Sequence, residues 1–154
     1  MDDWQIATDD LSAPDIRALL QQHFDAMLAT SPAGSCHFLD FDGLVDPAVT
    51  FWAIREDAAL AGCGALREID ARHGEIKSMR TADSHLRRGA AARMLDHIIA
   101  EARARGYRRL SLETGSGEAF EPAINLYRRR GFVDCGPFGD YRDDPFSRFM
   151  TRIL

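Results

Sequence analysis

Apolar residues recur at three- and four-residue intervals in three stretches of the chain, a pattern typical of helices with one buried face. The first stretch predicts one or two helices over residues 9–29, with Ser12 as a cap. The second predicts a helix whose apolar face covers residues 91–102 and which ends at Gly106. The third predicts a short helix over residues 123–130.

Segments rich in β-branched and aromatic residues, or alternating in polarity, predict the strands. Three of them follow one another with tight turns between them, which indicates an antiparallel meander. Another follows the second helix, and two more close the chain. The predicted strands are residues 49–57, 60–69, 75–81, 107–114, 132–141 and 146–154, and the ambiguous segment 36–47 is compatible with a short helix.

This order of helices and strands predicts a mixed α/β fold built around one central sheet. A chain of 154 residues is long enough to bury one core, so residues 1–154 are expected to form a single domain. The link from the third strand to the second helix places the start of that helix near the carboxyl edge of the sheet. That edge is a usual position for a ligand.

Composition and charge narrow the class of protein. The chain is 45% hydrophobic and 28% charged, as in ordinary globular proteins, and no run approaches the ~18 apolar residues of a membrane span. The acidic start resembles no secretory signal, so we expect a cytoplasmic protein without membrane attachment. Residues 1–79 carry a formal net charge of −9 and residues 80–154 one of +4. A basic half within an acidic protein favours a local anion site over nucleic-acid binding.

Cysteine and histidine spacing argues against two other classes of site. Cys36, Cys63 and Cys135 are far apart and form no CxxC pair. This pattern disfavours a disulfide framework or a zinc knuckle. The five histidines form no HxxxH or HExxH pattern, so we expect no metal site.

One stretch, "HLRRGAAARMLDHIIAEARARGYRRLSLET", raises a question of its own. It places Gly89 in a basic cluster immediately before a helix. Unpaired N–H groups and the positive end of the helix dipole make such a start suitable for a phosphate group. Two interpretations remain open: the turn holds a phosphorylated ligand, or it only opens a helix. The P-loop pattern GxxxxGK[ST] and the dinucleotide pattern GxGxxG are both absent.

The ordered set "EIKSMRT…HLRRGAAARMLDHIIAEARARGYRRLSLET…FEPAINLYRRRGF" resembles the GCN5-related N-acetyltransferases, the GNAT family. The resemblance rests on a strand before an (Arg/Gln)xxGx(Gly/Ala) turn, on the strand "RLSLET", and on "AINLYRRRGF", which fits AxxLYxxxGF. "HGEIKSMRT" and "LSLETGSGEAF" further resemble a bacterial subgroup of small uncharacterised acetyltransferases. The chain departs from the family pattern at Leu86, where Arg or Gln is usual, at Arg87, where glycine is usual, and at Phe120, where many members have Asn.

The resemblance implies a GNAT-like fold, with two splayed strands forming a V-shaped cleft, and acetyl-CoA as the acetyl donor. The strand around Met79, Arg80 and Thr81 is expected to pair its backbone with the pantetheine arm. The pyrophosphate is expected to bind the turn and first helical residues Arg87, Arg88, Gly89, Ala90, Ala91 and Ala92. A homodimer is also compatible with the family, and no metal is implied.

Acetyl transfer to an amine needs a base, a stabilised oxyanion and a proton for the leaving thiolate. Tyr127 fits the family's tyrosine and is the expected general acid near the sulfur, although its spacing alone also suits a core aromatic. Glu75 and Glu113 are candidate bases, with a slight preference for Glu75, or else solvated strand carboxylates. The backbone N–H of Met79 is a candidate oxyanion donor.

Three aromatic residues, Phe41, Phe51 and Trp52, are expected either to line the acceptor pocket or to pack in the core, and the core is the favoured interpretation. The sequence thus predicts an acetyl-CoA-dependent N-acetyltransferase that acts on a primary amine of a small molecule or peptide by direct attack in a ternary complex. The departures from the family pattern leave two alternatives: a catalytically silent CoA-binding sensor or interaction module, and a domain that binds no nucleotide.

Overall fold

The computed structural model describes residues 4–154, in which seven strands form one mixed sheet flanked by four α-helices. Short 3₁₀ turns at Asp83–His85 and Glu118–Phe120 precede the third and fourth helices. The mixed α/β class predicted from the sequence is confirmed. In chain order the elements are β1 (Trp4–Thr8), α1 (Pro14–Thr30), α2 (Phe41–Leu44), β2 (Val49–Glu56), β3 (Ala59–Asp70), β4 (His73–Thr81), α3 (Ala90–Ala104), β5 (Arg109–Gly115), α4 (Glu121–Arg129), β6 (Val133–Cys135) and β7 (Ser147–Ile153).

The strand order across the sheet is β1-β2-β3-β4-β5-β7-β6. Strands β1 to β4 are antiparallel to their neighbours, so the predicted meander is confirmed and has one further strand. β4 and β5 are parallel and are connected through α3, whereas β5, β7 and β6 are again antiparallel. This single parallel pair lies at the centre of the sheet.

Strand β1 is the element that the sequence pattern does not predict. It is five residues long and lies at the edge of the sheet, where it pairs with β2 from Trp4↔Glu56 to Thr8↔Trp52. A short edge strand exposes one side to solvent and so carries little hydrophobic alternation. Its position is set by pairing with a strand more than forty residues away, which local pattern does not encode.

The sheet separates two apolar layers. Alternate residues of a strand point to opposite faces, and Trp52 and Ile54 of β2 pack with α3 and α4 on one face. Phe51 and Ala53 pack with α1 and α2 on the other face. We call these the α3/α4 face and the α1 face. Gly64 permits a close approach of α3, because a Cβ there would lie 2.7 Å from Cγ of Met94.

The central strands β4 and β5 separate along their length. Their parallel pairs run from His73↔Arg109 to Ile76↔Leu112, and the described residues form none beyond these. β4 continues to Thr81 along β3, with one extra residue between the pairs Ala65↔Lys77 and Cys63↔Arg80. The splayed strands predicted from the sequence are therefore confirmed, and they open a split in the sheet.

Two predicted element boundaries are wrong. Helix α1 begins at Pro14 with Ala13 at its N-cap, and the Ser12 hydroxyl instead donates to Asp10 at 2.6 Å. The strand predicted over residues 132–141 is reduced to Val133–Cys135, and the remainder is loop. Within residues 4–154 no helix is both long and apolar enough to cross a bilayer.

The three candidate aromatic residues of an acceptor pocket lie in the core. Phe51 and Trp52 are each 4% exposed and belong to opposite layers. Phe41 packs edge-on against Phe24 with ring centroids 5.1 Å apart. The favoured core interpretation is correct, and the acceptor-pocket expectation for these residues is wrong.

Candidate active site

The split between β4 and β5 opens a cavity of about 370 Å³, which we call the cleft. Leu112 and Tyr127 belong to the layer on the α3/α4 face, whereas α1 closes the cleft from the α1 face. The cleft therefore passes through the sheet. Its walls are His23, Ala26, Met27, Thr30, His37, Phe38, Ile76, Lys77, Ser78, Met79, Arg80, Leu112, Glu113, Thr114, Ala119, Phe120, Ala123 and Tyr127.

Tyr127 reaches the cleft from α4. This helix starts at Glu121 with Pro122 in its first turn, and its apolar face buries Ile124, Leu126 and Tyr127. Tyr127 is 6% exposed, and burial raises the pKa of its hydroxyl to about 12. Among the described residues that hydroxyl has no hydrogen-bond partner, so its proton is available to a ligand.

Glu113 lines the cleft from β5, one residue beyond the last pair with β4. Leu112 points to the α3/α4 face, so its neighbour Glu113 points to the α1 face, opposite Tyr127. Burial raises the pKa of the Glu113 carboxyl, and the nearby charges of His37 and Lys77 partly offset this effect. A half-buried carboxylate of raised pKa is a stronger proton acceptor than an ordinary carboxylate.

Glu75 is held in a hydrogen-bonded group that we call the Glu75–Tyr141–Lys77 network. Its carboxylate is 1% exposed and accepts from the Tyr141 hydroxyl at 2.5 Å. Lys77 Nζ donates to the Tyr141 hydroxyl at 2.8 Å and lies 3.5 Å from Glu75. Arg67 lies 3.4 Å from the other carboxylate oxygen. Burial and the Glu75 charge raise the pKa of Tyr141 well above its usual range.

A second cavity of about 630 Å³, which we call the side cavity, lies against this network. It shares the walls His37, Phe38 and Lys77 with the cleft. The loop between β6 and β7 forms much of its remaining wall. The residues lining it are Gly34, His37, Phe38, Leu39, Arg67, Ile69, Glu75, Lys77, Phe138, Gly139, Asp140, Tyr141, Arg142, Asp143 and Asp144.

The turn before α3, predicted to bind a phosphate group, leaves the backbone at the start of the helix uncovered. Gly89 at the N-cap has a φ of +91°, and a Cβ there would meet no atom within 4 Å. Arg87 also adopts a left-handed φ of +61°, and no acidic residue lies in the first turn of α3. The start of α3 is thus open to an anion.

The side chains of this turn differ in their contacts. Arg88 donates to the two carboxylate oxygens of Glu56 at 3.1 and 2.7 Å, and Trp4 Nε1 donates to the same carboxylate at 2.8 Å. Arg87 is exposed, and Leu86, which stands at the usual Arg or Gln position, is 51% exposed. Among the predicted binding residues, Met79 and Arg80 line the cleft with Glu113 and Tyr127, whereas Thr81 lies beyond its walls.

His23 is a cleft residue that the sequence does not single out, because its position in α1 fits an ordinary amphipathic pattern. Its side chain is 7% exposed, and its Nδ1 is buried with no partner among the described residues. Burial, with the positive charges of Arg80 and Lys77, lowers the pKa of His23 to about 4. The imidazole is therefore neutral at physiological pH.

The lowered pKa of His23 predicts an acid-sensitive fold. In the unfolded chain His23 takes up a proton near pH 6.5, whereas in the folded protein it does so near pH 4. The neutral histidine therefore contributes fully to the unfolding free energy above pH 6.5, and this contribution is lost as pH falls toward 4. Between pH 7 and pH 4.5 this loss amounts to about 2 kcal/mol of unfolding free energy. Urea unfolding of wild type and His23→Phe at both pH values measures it. An equal loss in the two proteins would contradict the assignment.

The described residues contain no group of three or more His, Cys, Asp or Glu side chains placed to hold a metal ion. The three cysteines are free thiols in the structure.

Comparison with known proteins adds an independent finding. Residues 13–132 match the model of the Acetyltransferase (GNAT) family. Over 149 residues the chain is 54% identical to the uncharacterised N-acetyltransferase YsnE of Bacillus subtilis (strain 168), which covers 97% of this chain and 99% of that protein.

Solved structures show the same architecture. A proposed acyl-CoA N-acyltransferase from Klebsiella pneumoniae aligns with a TM-score of 0.81 at 30% identity, over 98% of this chain and 97% of that one. A GNAT family acetyltransferase from Elizabethkingia anophelis, solved with acetyl-CoA bound, aligns with a TM-score of 0.69 over the full length of both chains. At 18% identity, the second comparison shows the shared fold alone.

Proposed function

Because the chain belongs to the GNAT acetyltransferase family, as its motifs predicted, we propose that it transfers the acetyl group of acetyl-CoA to a primary amine of a small molecule or peptide. The amine attacks directly in a ternary complex. The observation that carries this proposal is the split between β4 and β5, which opens a cleft with Tyr127 on one face of the sheet and Glu113 on the other.

The residues present fit acetyl-CoA as a substrate. Within residues 4–154, β4 has no partner strand on its β5 side beyond Ile76, so backbone groups of Met79, Arg80 and Thr81 are available to the amides of the pantetheine arm. Ser78 Oγ is buried in the cleft wall without a partner among the described residues, and it offers a further hydrogen bond.

The pyrophosphate of acetyl-CoA is proposed to bind the backbone N–H groups from Arg87 to Ala92 at the start of α3. Gly89 leaves room for the phosphates to approach the chain. Arg87 adds a positive charge, whereas Arg88 acts first by holding the turn to Glu56. Because most of these contacts are to the backbone, the departures at Leu86 and Arg87 are compatible with binding.

The two faces of the split separate the acid from the base. The amine enters from the α1 face and loses a proton to Glu113 directly or through water. Its nitrogen forms a bond to the acetyl carbonyl carbon, and the backbone N–H of Met79 stabilises the oxyanion. The bond from that carbon to sulfur then breaks, and Tyr127 gives its proton to the leaving thiolate. The nitrogen loses its second proton through water to the Tyr127 phenolate, which leaves a neutral amide and restores the tyrosine.

We propose Glu113 rather than Glu75 as the base, although the sequence slightly favours Glu75. Glu75 is almost fully buried and already accepts from Tyr141 beside Lys77 and Arg67. Because internal contacts already engage both of its carboxylate oxygens, Glu75 is poorly placed to contact an incoming amine. Glu113 has no such ion pair among the described residues and lines the cleft itself. We therefore propose that Glu75 positions the surrounding side chains.

A thermal-shift measurement tests the donor. At 100 times its dissociation constant a ligand adds about 2.7 kcal/mol to the unfolding free energy, and for a chain of this length that raises Tm by roughly 5–10 °C. We expect this rise with acetyl-CoA and with CoA, and none with NAD or ATP. No rise with either CoA species would show that the turn before α3 only opens a helix, and the proposal would fail.

A further inference from the structure

The side cavity carries charged groups of both signs beside an apolar wall. An exposed cavity that served a polyamine would be expected to present mainly carboxylates, whereas this one also presents two arginines and a lysine. The apolar wall consists of Phe38, Leu39, Ile69 and Phe138. The charged lining residues are Arg67, Lys77 and Arg142 on the positive side and Glu75, Asp140, Asp143 and Asp144 on the negative side.

Some of these charges are already used within the protein. Lys77 donates to the His37 carbonyl at 3.0 Å as well as to Tyr141. Asp144 accepts from the Ser35 hydroxyl at 2.5 Å and from a backbone N–H. The positive groups left for a ligand are the arginines, because internal contacts occupy the lysine.

Arg67 and Arg142 make fewer contacts within the protein than Lys77 does. The Arg67 side chain is 43% exposed, and within residues 4–154 its one polar contact is a long approach to Glu75 at 3.4 Å. Arg142 is exposed and has no polar partner among the described residues. Each guanidinium presents a planar set of N–H donors that fits the two oxygens of a carboxylate. Both guanidinium groups line the side cavity, and we call Arg67 and Arg142 the arginine pair.

The side cavity is also placed to deliver an amine to the reaction. It is lined by Glu75, whose side chain points to the same face of the sheet as Glu113, and it shares the wall residues His37, Phe38 and Lys77 with the cleft. A molecule that binds the arginines with its carboxylate can therefore extend an amine toward Glu113.

We propose that the acetyl acceptor is an α-amino acid with an apolar side chain. Its carboxylate binds Arg67 and Arg142, its side chain packs against Phe38 and Phe138, and its amine reaches the cleft. The inference rests on the proposed function, which it makes more specific. The amine nitrogen gains the acetyl group as the bond from carbon to sulfur breaks. One of its protons goes to Glu113, the thiolate takes the proton of Tyr127, and the second nitrogen proton returns through water to the Tyr127 phenolate.

The test compares acceptors that differ in one group. L-Phenylalanine, its amide and phenethylamine share the ring and the amine, but only the first carries a carboxylate, and spermidine represents a purely cationic acceptor. Release of CoA thiol is measured with each. We expect kcat/KM for phenylalanine to exceed that for phenethylamine at least roughly 10-fold, since a hydrogen-bonded charge pair contributes about that factor or more. Equal or faster acetylation of phenethylamine or spermidine would overturn the inference.

Variants locate the carboxylate site. Arg67→Ala and Arg142→Ala are each expected to raise KM for phenylalanine roughly 10- to 100-fold, and to raise KM for phenethylamine much less, because phenethylamine has no carboxylate. Arg72→Ala is the matched control, because Arg72 is exposed and lines neither cavity. Unchanged KM for phenylalanine in both arginine variants would contradict binding of the carboxylate by the arginine pair.

Calorimetric titration of phenylalanine into the protein, with and without CoA, separates this inference from the proposed function. Arginine-dependent binding of phenylalanine without any acetyl transfer would support the side cavity as an amino-acid site and reject the enzyme proposal. Binding and turnover of acetyl-CoA with phenethylamine or spermidine, but no binding of phenylalanine, would reject the amino-acid inference and leave the enzyme proposal standing.

Discussion

Replacement of Tyr127 by phenylalanine should lower kcat by about 10²-fold or more while the affinity for acetyl-CoA stays nearly constant. The change removes one hydroxyl from the cleft wall and keeps the ring that packs against Phe132. Since burial raises the pKa of this hydroxyl to about 12, it stays protonated throughout the working pH range and can donate to the leaving thiolate. Steady-state kinetics with a saturating amine, together with titration of CoA, measures both quantities.

Tyr107→Phe is the control for this change. Tyr107 is a tyrosine in the same apolar layer, but its hydroxyl donates to Glu68 at 2.8 Å and lies outside the cleft. Removal of the Tyr107 hydroxyl is expected to lower the unfolding free energy while kcat falls much less than in Tyr127→Phe. Unaltered turnover in Tyr127→Phe would exclude the general-acid role. Tight CoA binding by the wild type without turnover of any amine would instead support the catalytically silent alternative.

Glu113→Gln should lower kcat/KM at neutral pH by about 10²-fold, the usual contribution of a positioned base. Because burial raises the pKa of Glu113 above the ordinary carboxyl value of 4.5, the wild-type rate should rise with pH through that raised pKa. The glutamine variant should lack this rise. The unfolding free energy should change in the opposite direction from the rate as pH increases. Because the fold disfavours the ionised Glu113 carboxylate, wild type should lose stability relative to the glutamine variant as pH increases.

The comparison with Glu75→Gln decides between the two carboxylates. If Glu75 only positions its neighbours, kcat/KM of Glu75→Gln should still rise with pH on the acid side of the profile, even if the rate is lower at every pH. Disappearance of that rise in Glu75→Gln, with its retention in Glu113→Gln, would assign the base to Glu75. Glu118→Gln serves as the matched control, because Glu118 is exposed and lies outside both cavities.

The parts of the fold that the sequence predicts well are those whose pattern is local. Helix α3 carries six buried residues at helical spacing, and Gly106 after it has the positive φ of +83° expected for a helix end. The meander is predicted for the same reason, since its strands follow one another through tight turns. Ser12 shows the limit: it is a good cap by residue type, but its hydroxyl is taken by Asp10.

The parts of the site that the sequence misses depend on contacts between distant residues. Tyr141 lies 66 positions from Glu75, to which it donates, and the intervening sequence gives no signal for this pairing. The loop that carries Tyr141 and Phe138 reads as a strand, because aromatic residues favour strands. Arg67 belongs to an ordinary strand pattern, and only the folded sheet places it at the wall of a cavity.

The split between β4 and β5 also determines how the two halves of the sheet are joined. Strands β1 to β4 and strands β5 to β7 form two half-sheets that share only four residue pairs, all at one end of β4 and β5. Those four pairs join the two half-sheets at one end, and the other end opens at the cleft. In the proposed complex a substrate arm paired with β4 would supply the hydrogen bonds that the ladder lacks, so that the substrate would complete the sheet as well as fill the cavity.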